Sequence, residues 1–574
     1  MRLYIDNKPV DAPDGATILE AAAAAGIEIP SLCYLPGCDA STSCFVCAVK
    51  VDDQEHLLPA CATKAREGMR VESDSPPVRQ ARRTALELLL SDHVGDCVAP
   101  CRLACPAGLD APRMLDQLAR GDEAAARETI LQSLPLPAVL GHICPAPCQK
   151  ACRRGKLDSH VEIRQLHTIA GLAMTEGTRG TVPLDGTVPD YEGTKGSVPL
   201  NGTVPDFDRS VRQRSSGQPA CRTGRSQTAG QSPIAEARRV VIVGAGPAGL
   251  AAAWFLAREG IACTILEKAS AAGGGLRQIE AGRLPSGVLE ADAARILQHV
   301  DIRPGVAIGD DVTLGQLRNQ FDAVLLACGS VDAQQAQQWG LQHAQGRLTV
   351  DRYTMQTSMP GVFAAGAAAG AGVRLAVRAV ADARKAATSI VRRIAQRTDE
   401  GQSIGQADVP PSQPRPGDFC CHAGNLLPAE LREMADSASD LIPAPQGSVA
   451  SMASQCLKCD CLKAGADAAG LHLCKLRRYA QEYSATAGHQ GPRRAFHRLL
   501  HPQVIYESGK CILCGLCIQA ARQEGEKYGL TFVGRGFDVQ VAVPLGRGLE
   551  EGLTRAAGRC AEVCPTGAIV LRRS

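Results

Sequence analysis

The chain has 574 residues and a net charge of +3, which allows about three to five domains and creates no long-range field that would attract nucleic acid. Its start, MRLYIDNKPV, lacks the charged and apolar regions of a secretory signal, and the longest uncharged apolar run, residues 240–257, is broken by Gly-Pro. We therefore expect a cytoplasmic protein without a membrane span and without a nucleic-acid partner.

Cysteine spacing is the most informative pattern in the sequence. Eighteen of the 25 cysteines fall into five groups with the spacing of iron–sulfur ligand sets. Thiolates are soft ligands that suit iron–sulfur clusters or zinc. Disulfides are the competing interpretation, but a chain of this length without a signal segment does not need them in order to fold. The pattern predicts a protein that transfers electrons.

Residues 1–80 show short strands, a helix over ATILEAAAAAGI, a cysteine-rich loop and further strands. The cysteines follow the spacing C-x10-C-x2-C-x13-C. Together with the continuation LELLLSDHVGDC, this segment resembles the N-terminal domain of the complex I G subunit and of iron hydrogenases. The resemblance implies a β-grasp ferredoxin domain with a 2Fe–2S cluster on Cys33, Cys44, Cys47 and Cys61. Cys38 lies inside the loop and is interpreted as a non-ligand.

Residues 81–173 are predicted to be helices punctuated by cysteines. The runs HVGDCVAPCRLACPAGLD and HICPAPCQKACRRGKLDSHVEIRQLHTIAG resemble the N-terminal domain of the bacterial glutamate synthase small subunit and of dihydropyrimidine dehydrogenase. The resemblance implies an α-helical domain with two 4Fe–4S clusters that share ligands across the two runs. The implied cysteine ligands are Cys97, Cys101, Cys105, Cys144, Cys148 and Cys152.

The same resemblance implies how these ligands divide. Cys105 would pair with Cys144 and Cys148, and the earlier cysteines would pair with Cys152. Each cluster is then one ligand short of four.

Two histidines match the incomplete positions. His93 is separated from Cys97 by three residues, as the histidine ligand is from its cysteine in the complex I relative. His167 matches the position at which the glutamate synthase family uses a carboxylate or an amide, and Gln165 is its competitor. Imidazole ligation would raise the cluster potential, as it does in Rieske centres.

Residues 174–235 are predicted to be a disordered linker. A tandem repeat at 176–207 reads EGTRGTVPLDGTVPDY and then EGTKGSVPLNGTVPDF, and two Gly/Pro-rich copies are fewer than the three that a repeat architecture needs. A polar stretch without hydrophobic periodicity follows. Residues 398–450 are interpreted as a second linker with one short helix.

Residues 236–397 contain a dinucleotide-binding βαβ pattern. The run RRVVIVGAGPAGLAAAWFLAREGIACTILEK has Gly244, Gly246 and Gly249 between a hydrophobic strand and a helix, and its second strand ends at Glu267. The glycines allow a tight turn and let a pyrophosphate approach the helix N-terminus. The glutamate has the spacing expected of a residue that binds ribose hydroxyls.

Two later segments resemble flavin-contacting segments of glutamate-synthase-like proteins and imply bound FAD. GGGLRQIEAGRLP supplies Gly274 and Arg277, and PGVFAAGA supplies Gly366. The family's aspartate is replaced by Ala367. About 30 residues separate DAVLLACGS from PGVFAAGA, which is too few for the second Rossmann unit that binds NADPH in those relatives. We predict a FAD-binding Rossmann-like domain without the NAD(P) subdomain; a scaffold that has lost its flavin is the alternative.

The last two segments add further thiolate sets. Residues 451–490 have the spacing C-x2-C-x-C-x12-C, which suits a 4Fe–4S cluster or a structural zinc, and residues 491–574 resemble a two-cluster bacterial ferredoxin. In that unit one set of four cysteines is complete, whereas the second cluster has lost three ligands and leaves Cys560 spare. The predicted ligands are Cys456, Cys459, Cys461 and Cys474, then Cys511, Cys514, Cys517 and Cys564.

Together these segments predict a multidomain α/β and α+β oxidoreductase with one 2Fe–2S cluster, about three or four 4Fe–4S clusters, and FAD. The expected role is an electron relay between the clusters and FAD, with other subunits of a redox complex as partners, because the cofactors carry the chemistry and no acid–base set is evident. Two alternatives are a self-sufficient NAD(P)H-dependent reductase similar to the glutamate synthase small subunit and a non-catalytic metal-binding remnant.

Overall fold

The computed structural model describes residues 1–172 except 53, 239–370 except 286, 375–396, 427–441, 448–463, 474–486 and 495–572. The linker predicted at 174–235, with its repeat, lies outside the described residues, as does most of the linker predicted at 398–450. Within the described ranges, no helix combines the length and the apolar character that a membrane span requires.

The N-terminal domain is a mixed sheet with a helix against it. Its elements are β1 (Arg2–Ile5), β2 (Lys8–Asp11), α1 (Ile18–Ala24), β3 (Ala48–Val51), β4 (Leu57–Pro59) and β5 (Arg70–Glu72). The strand order is β2-β1-β5-β3-β4, with β1 parallel to β5 and the other pairs antiparallel. The alternation of buried and exposed residues in β1 is typical of a strand with one face on the core. The long connection between α1 and β3 carries most of the cysteines of this domain.

The helical domain is a set of short helices whose ends carry the cysteines. Its elements are α2 (Pro76–Asp92), α3 (Pro100–Ala104), α4 (Ala111–Ala119), α5 (Glu123–Leu131), α6 (Pro137–Ile143), α7 (Pro147–Lys150) and α8 (Ile163–Leu172). Proline in the first turn of α3, α6 and α7 is compatible with a helix start, because that N–H has no helical partner. Cys105 and Cys144 immediately follow α3 and α6, so their thiols lie at turns.

The Rossmann-like domain is built on a parallel sheet with the strand order β12-β9-β6-β7-β8. Its strands are β6 (Arg239–Val243), β7 (Ala262–Glu267), β8 (Asp301–Pro304), β9 (Ala323–Leu326), β10 (His343–Ala344), β11 (Arg347–Leu348) and β12 (Val362–Ala364). Its helices are α9 (Pro247–Arg258), α10 (Val288–Leu297), α11 (Leu314–Gln320), α12 (Ala333–Gln338) and α13 (Ala376–Gln396). The central strands β6 and β9 are apolar and buried almost throughout, as expected of a parallel sheet covered on both faces.

The rest of the described chain contains three helices and a C-terminal unit with a small antiparallel sheet. The helices are α14 (Pro428–Leu441), α15 (Ser448–Ser454) and α16 (Lys475–Glu482). The C-terminal unit has β13 (Arg498–Leu500), β14 (Val504–Glu507), α17 (Leu516–Gln523), β15 (Thr531–Val533), β16 (Gln540–Ala542), α18 (Leu549–Gly552), α19 (Ala557–Val563) and β17 (Ile569–Leu571). Strands β13, β14 and β17 pair in that order, and β15 pairs with β16.

Buried hydrogen bonds join the helical domain to its neighbours. Trp254 Nε1 in α9 donates to Leu131 O at 3.0 Å, and Val139 N donates to the buried carboxylate of Asp292 in α10 at 2.9 Å. On the other side, Arg82 in α2 donates to Tyr483 Oη at 2.8 Å, just after α16. The mixed α/β content and the parallel sheet agree with the predicted fold class.

Candidate iron–sulfur and dinucleotide sites

The N-terminal site consists of the thiols of Cys33, Cys44, Cys47 and Cys61, and the structure brings all four together. The Cys33 thiol is in hydrogen-bond contact with those of Cys44 and Cys61, and Cys47 is in contact with Cys61. Contacts from Cys44 and Cys61 lower the pKa of the Cys33 thiol. A residue at positive φ, Phe45 at 51°, helps the loop to turn the thiols inward. Three buried cysteines of the loop before β3 and a fourth just after β4 thus form a coherent candidate ligand set.

The C-terminal site consists of the thiols of Cys511, Cys514, Cys517 and Cys564, which line one cavity. Cys517 lies in the first turn of α17, and Cys564 immediately follows α19. Burial raises the pKa of the Cys517 thiol well above its usual value, and the thiolates of Cys511 and Cys514 raise it further. The spare Cys560 is buried and its Sγ donates to Cys517 O at 3.4 Å.

The four cysteines of the 456–474 group, predicted from spacing as one set, lie in two places. Cys456 and Cys459 line a cavity together with Cys101 and Cys152. We call these four thiols the bridging site. Cys461 and Cys474 instead lie beside Cys97. We call those three thiols, together with the imidazole of His93, the His93 site.

The His93 site is buried between α2, the start of α16 and the C-terminal unit. Burial raises the pKa of the Cys461 thiol to about 12, Lys510 opposes that rise, and the Cys97 thiolate adds to it. The pKa of Cys474 is likewise raised by burial and then by Cys461 and Cys97. The three thiols therefore lie near one another.

His93 lies just after α2 and is 3% exposed. Neither ring nitrogen has a hydrogen-bond partner. Burial and the nearby Lys510 ammonium lower the pKa of His93 to about 3, and the same ammonium lies near Cys461. A neutral imidazole without a hydrogen-bond partner is the form that ligates metals.

The helical site consists of the thiols of Cys105, Cys144 and Cys148. Burial raises the pKa of Cys148 to about 12, and the thiolates of Cys105 and Cys144 raise it further. This grouping is the one that the resemblance to the glutamate synthase small subunit implies. Cys152, in contrast, lies in the bridging site, and Cys97 lies in the His93 site rather than with Cys152.

Two histidines lie around the helical site, one buried and one half-buried. His167 in α8 is 3% exposed, and its Nδ1 has no hydrogen-bond partner. His142 lies two residues before Cys144, and its Nε2 also lacks a partner. Burial and then the Arg164 guanidinium lower the pKa of both imidazoles, and Arg164 Nη1 donates to Cys144 O at 3.1 Å. Sequence reasoning missed His142, although its position beside a cysteine could have suggested it.

The sites follow one another through the molecule. Burial raises the pKa of Cys514 in the C-terminal site, and Cys33 of the N-terminal site is among the thiolates that raise it further. Burial also raises the pKa of Cys474 in the His93 site, and the thiolate of Cys564 in the C-terminal site adds to that rise. Lys475 N, next to Cys474, donates to Pro565 O at 2.8 Å. The C-terminal site thus adjoins both the N-terminal site and the His93 site.

The series continues toward the Rossmann-like domain. Cys459 of the bridging site is separated by one residue from Cys461 of the His93 site, and Cys101 is one helical turn before Cys105 of the helical site. The half-buried Arg384 of α13 donates to Ala107 O at 3.2 Å. Burial lowers the pKa of Arg384, and the Cys105 thiolate opposes that change. The helical site therefore adjoins a helix of the Rossmann-like domain.

The dinucleotide loop lies between β6 and α9. A Cβ at Gly249 would approach Gly244 O to 1.8 Å, and Gly244 has a φ of 104°, so this turn requires glycine at both positions. A Cβ at Gly246 would meet no atom within 4 Å, so open space lies before the N-terminus of α9. The N–H groups and dipole of that end favour a phosphate.

The other predicted dinucleotide residues surround this loop. The buried Glu267 accepts from Ala245 N at 2.6 Å. A Cβ at Gly274 would approach the Gly246 Cα to 3.0 Å, and one at Gly366 would approach the Ala248 Cβ to 2.9 Å. Arg277 lies slightly farther away, where its side chain donates to Ala272 O at 2.6 Å and to Glu290 at 3.1 Å.

Three family models match parts of the chain. They describe a 2Fe-2S iron-sulfur cluster binding domain at residues 1–76, dihydropyrimidine dehydrogenase domain II with its 4Fe-4S cluster at residues 91–177, and an NAD(P)-binding Rossmann-like domain at residues 242–301. The chain carries iron–sulfur and dinucleotide-binding domains. These matches confirm the 2Fe–2S prediction and the predicted resemblance to dihydropyrimidine dehydrogenase.

Curated relatives match smaller shares of the chain. The NADP(+)-dependent formate dehydrogenase subunit beta of Moorella thermoacetica is 34% identical over 235 residues, which are 40% of this chain and 29% of the relative. The NADP-reducing hydrogenase subunit HndD of Solidesulfovibrio fructosivorans is 45% identical over 104 residues, 17% of this chain and 18% of the relative.

A third relative is the NAD-dependent dihydropyrimidine dehydrogenase subunit PreT of Salmonella typhimurium. It is 30% identical over 238 residues, which are 40% of this chain and 45% of the relative. The chain therefore spans less than half the length of each of these relatives. All three are named as subunits of a dehydrogenase or hydrogenase, which is the oxidoreductase class that the sequence predicts.

Proposed function

We infer that this chain is an oxidoreductase subunit or module that relays electrons between a 2Fe–2S cluster at the N-terminal site and FAD in the Rossmann-like domain. The observation that carries this proposal is the succession of neighbouring thiol sites from Cys33 to Cys105, which ends beside Arg384 of α13. Buried sites that adjoin one another allow electrons to pass without exposure to solvent. The names of the relatives, each a subunit of a larger enzyme, favour other redox subunits as partners.

In this proposal the C-terminal site, the His93 site and the helical site each hold a 4Fe–4S cluster. The bridging site is not one of these three. The C-terminal site uses its four cysteines, and the His93 site uses three cysteines with the imidazole of His93. The helical site uses its three cysteines with a fourth ligand from His167, as the sequence predicts, while Gln165 and His142 are the competing donors. Donor softness supports iron–sulfur clusters, because thiolates predominate in each set.

The residues around the dinucleotide loop fit FAD. The open space before α9 suits the pyrophosphate, and the carboxylate of Glu267 lies beside the loop for the ribose. When bound, FAD would supply a carrier of both single electrons and electron pairs. Arg384 of α13 lies beside the helical site, and its positive charge would stabilise a reduced cluster there.

The local structure favours a relay over a self-sufficient nicotinamide-dependent reductase. Residues 327–361, all of which the structure describes, contain the short helix α12, the hairpin β10–β11 and turns. They include no βαβ unit that could bind a second dinucleotide. A nicotinamide would therefore lack its own Rossmann unit next to the flavin.

The test uses the full chain purified without oxygen. Flavin quantitation should find FAD, and stopped-flow absorbance should show that dithionite reduces the clusters and the flavin, whereas NADH and NADPH bleach the flavin slowly or not at all. Rapid bleaching of the flavin by either nucleotide with the isolated chain would contradict the relay and support a self-sufficient reductase. Absence of FAD would contradict the proposed end of the relay.

A further inference from the structure

The bridging site draws its thiols from two distant parts of the chain. Cys101 lies in α3 and Cys152 immediately precedes a short 3-10 turn, whereas Cys456 and Cys459 follow α15. All four line the same cavity. The two parts are joined by a hydrogen bond from Arg154 Nη1 to Gln455 O at 2.7 Å, across 301 positions of sequence.

Contacts outside the thiols hold the two parts in position. Asp96, 2% exposed, forms a bidentate ion pair with Arg153 at 2.8 and 3.0 Å and so orients the neighbouring Cys152. Lys458, between Cys456 and Cys459, forms an ion pair with Asp116 of α4. Arg498 donates to Leu457 O at 2.8 Å and to Lys458 O at 2.9 Å. The loop that carries Cys456 and Cys459 is thus positioned by backbone and charge contacts.

We propose that Cys101, Cys152, Cys456 and Cys459 together hold one 4Fe–4S cluster. Among the residues that the structure describes, no three or more histidine, cysteine or carboxylate side chains lie close enough together to hold a single metal ion. The thiols surround a cavity instead, which suits a cluster of several irons better than a mononuclear zinc. The cluster would tie the segment after α15 to the helical domain.

The position of this site gives it a role within the proposed relay. Cys459 is two residues before Cys461 of the His93 site, and Cys101 is four residues before Cys105 of the helical site. The bridging site therefore lies between the His93 site and the helical site. The assignment of the four ligands depends only on the cavity that they share. The role of this cluster in electron transfer rests on the proposed function. Without a cluster here, the two halves of the relay would be separated.

The test compares metal content in full-length variants purified without oxygen. Cys456→Ser/Cys459→Ser should lose about four iron and about four sulfide per chain relative to wild type, and Cys152→Ser, on the other segment, should lose the same amount. Cys560→Ser is the matched control, because that buried thiol lies outside the cavity and should leave the iron content unchanged.

Three results would overturn the proposal. The first is an iron content of Cys456→Ser/Cys459→Ser equal to that of the wild type, and the second is loss of the cluster in Cys152→Ser but not in the double variant. The third is one zinc ion per wild-type chain that is absent from the double variant. Native mass spectrometry of the wild-type chain is a second measurement, and it does not require any variant to fold. It should count four 4Fe–4S clusters besides the 2Fe–2S cluster, and a count of three would contradict the bridging cluster. Neither measurement uses the flavin or a nucleotide, so failure of the bridging cluster can be distinguished from failure of the proposed relay.

Discussion

Three buried charges meet beside the His93 site. Glu507, with a fully buried side chain, lies 2.7 Å from Arg498 and 2.6 Å from Lys510. Burial opposes the charge of each group, but Lys510 and Arg498 lower the pKa of Glu507, and Glu507 raises the pKa of Lys510. Lys510 Nζ also donates to Asp460 O at 3.1 Å, between Cys459 and Cys461. This ionic group therefore supports the loop that serves two of the sites.

Replacing Glu507 with glutamine should strongly destabilise the C-terminal unit. The substitution removes the carboxylate with which both buried cations pair, and breaking a buried pair in this way costs about 3–5 kcal/mol. Thermal unfolding followed by circular dichroism should show a clearly lower midpoint. Glu562→Gln, in an exposed pair with Arg559, is the control and should show no measurable change. Equal midpoints for the two variants would contradict the importance of the buried group.

Asp382 of α13 lies next to the dinucleotide loop, where its carboxylate accepts a hydrogen bond from the backbone of Gly366. Burial raises its pKa from 3.8 to about 6, although Lys385 opposes that rise. The family's aspartate is absent at position 367. A carboxylate therefore still contacts this turn, but it comes from a helix rather than from the turn itself.

The raised pKa of Asp382 determines how this residue's contribution to the stability of the chain changes with pH. The favourable contribution of the protonated group is fully present below the unfolded pKa of 3.8 and is lost as pH rises through about 6. Asp382→Asn should therefore stabilise the chain more at pH 8 than at pH 5, by about 1 kcal/mol after allowance for solvent screening. Chemical denaturation at the two pH values measures this difference, with the exposed Asp310→Asn as control. A variant that gains more stability at pH 5 would contradict this sign.

At the scale of elements, α1 has a start signal that local sequence specifies. Glu20 N donates to Thr17 Oγ1 at 3.2 Å and Thr17 N donates to Glu20 Oε2 at 2.7 Å, so both members of a capping box are present. The helix packs Ile18 and Leu19 into the core of the N-terminal domain. Its first turn thus links a local signal to the domain that carries the N-terminal site.

Thr17→Ala should lower the free energy of unfolding of the N-terminal domain by about 1 kcal/mol, because the cap hydrogen bond is lost. Thr84→Ala is the matched control, since Thr84 is exposed in the interior of α2, where its hydroxyl bonds to Gln80 O. Denaturation of the full chain, followed through the 2Fe–2S absorbance, measures both variants. A loss in Thr84→Ala as large as that in Thr17→Ala would rule out a specific capping effect.

Local spacing predicted some sites and misassigned others. The ligands of the N-terminal site lie within one loop and its hairpin, so spacing alone identified a group that the structure brings together. The 456–474 group also had convincing spacing, but Cys456 and Cys459 lie with Cys101, whereas Cys461 and Cys474 lie with Cys97. Which thiols share a site depends on packing between distant segments, which sequence spacing does not encode.

The βαβ unit shows the same contrast between local and tertiary information. Its glycines and Glu267 could be predicted, because a hydrophobic strand, a tight turn and a helix are encoded over about 30 residues. The contact of Asp382 with Gly366 could not be predicted, because it joins α13 to a turn through packing. Likewise, the sequence gives no sign that Lys510 is buried against Glu507, since burial of a charge depends on its tertiary partners.

At the scale of the whole molecule, the helical domain connects two redox regions. It contacts α16 and the N-terminal sheet through Arg82 and contacts the Rossmann-like domain through Trp254 and Arg384. Cysteines from either side of the Rossmann-like domain in sequence meet at the His93 and bridging sites. The central claim is therefore that the cluster sites form one continuous series, beginning with the N-terminal and C-terminal sites as neighbours.

Electron paramagnetic resonance of the dithionite-reduced chain tests that claim most directly. The 2Fe–2S signal of the wild type should relax rapidly because a paramagnetic 4Fe–4S cluster lies beside it at the C-terminal site, where Cys514 adjoins Cys33. In Cys514→Ser, which removes that neighbour, the 2Fe–2S signal should persist and relax slowly, whereas Cys105→Ser, at the distant helical site, should leave its relaxation as in the wild type. Identical relaxation in the wild type and in Cys514→Ser would contradict the continuous series.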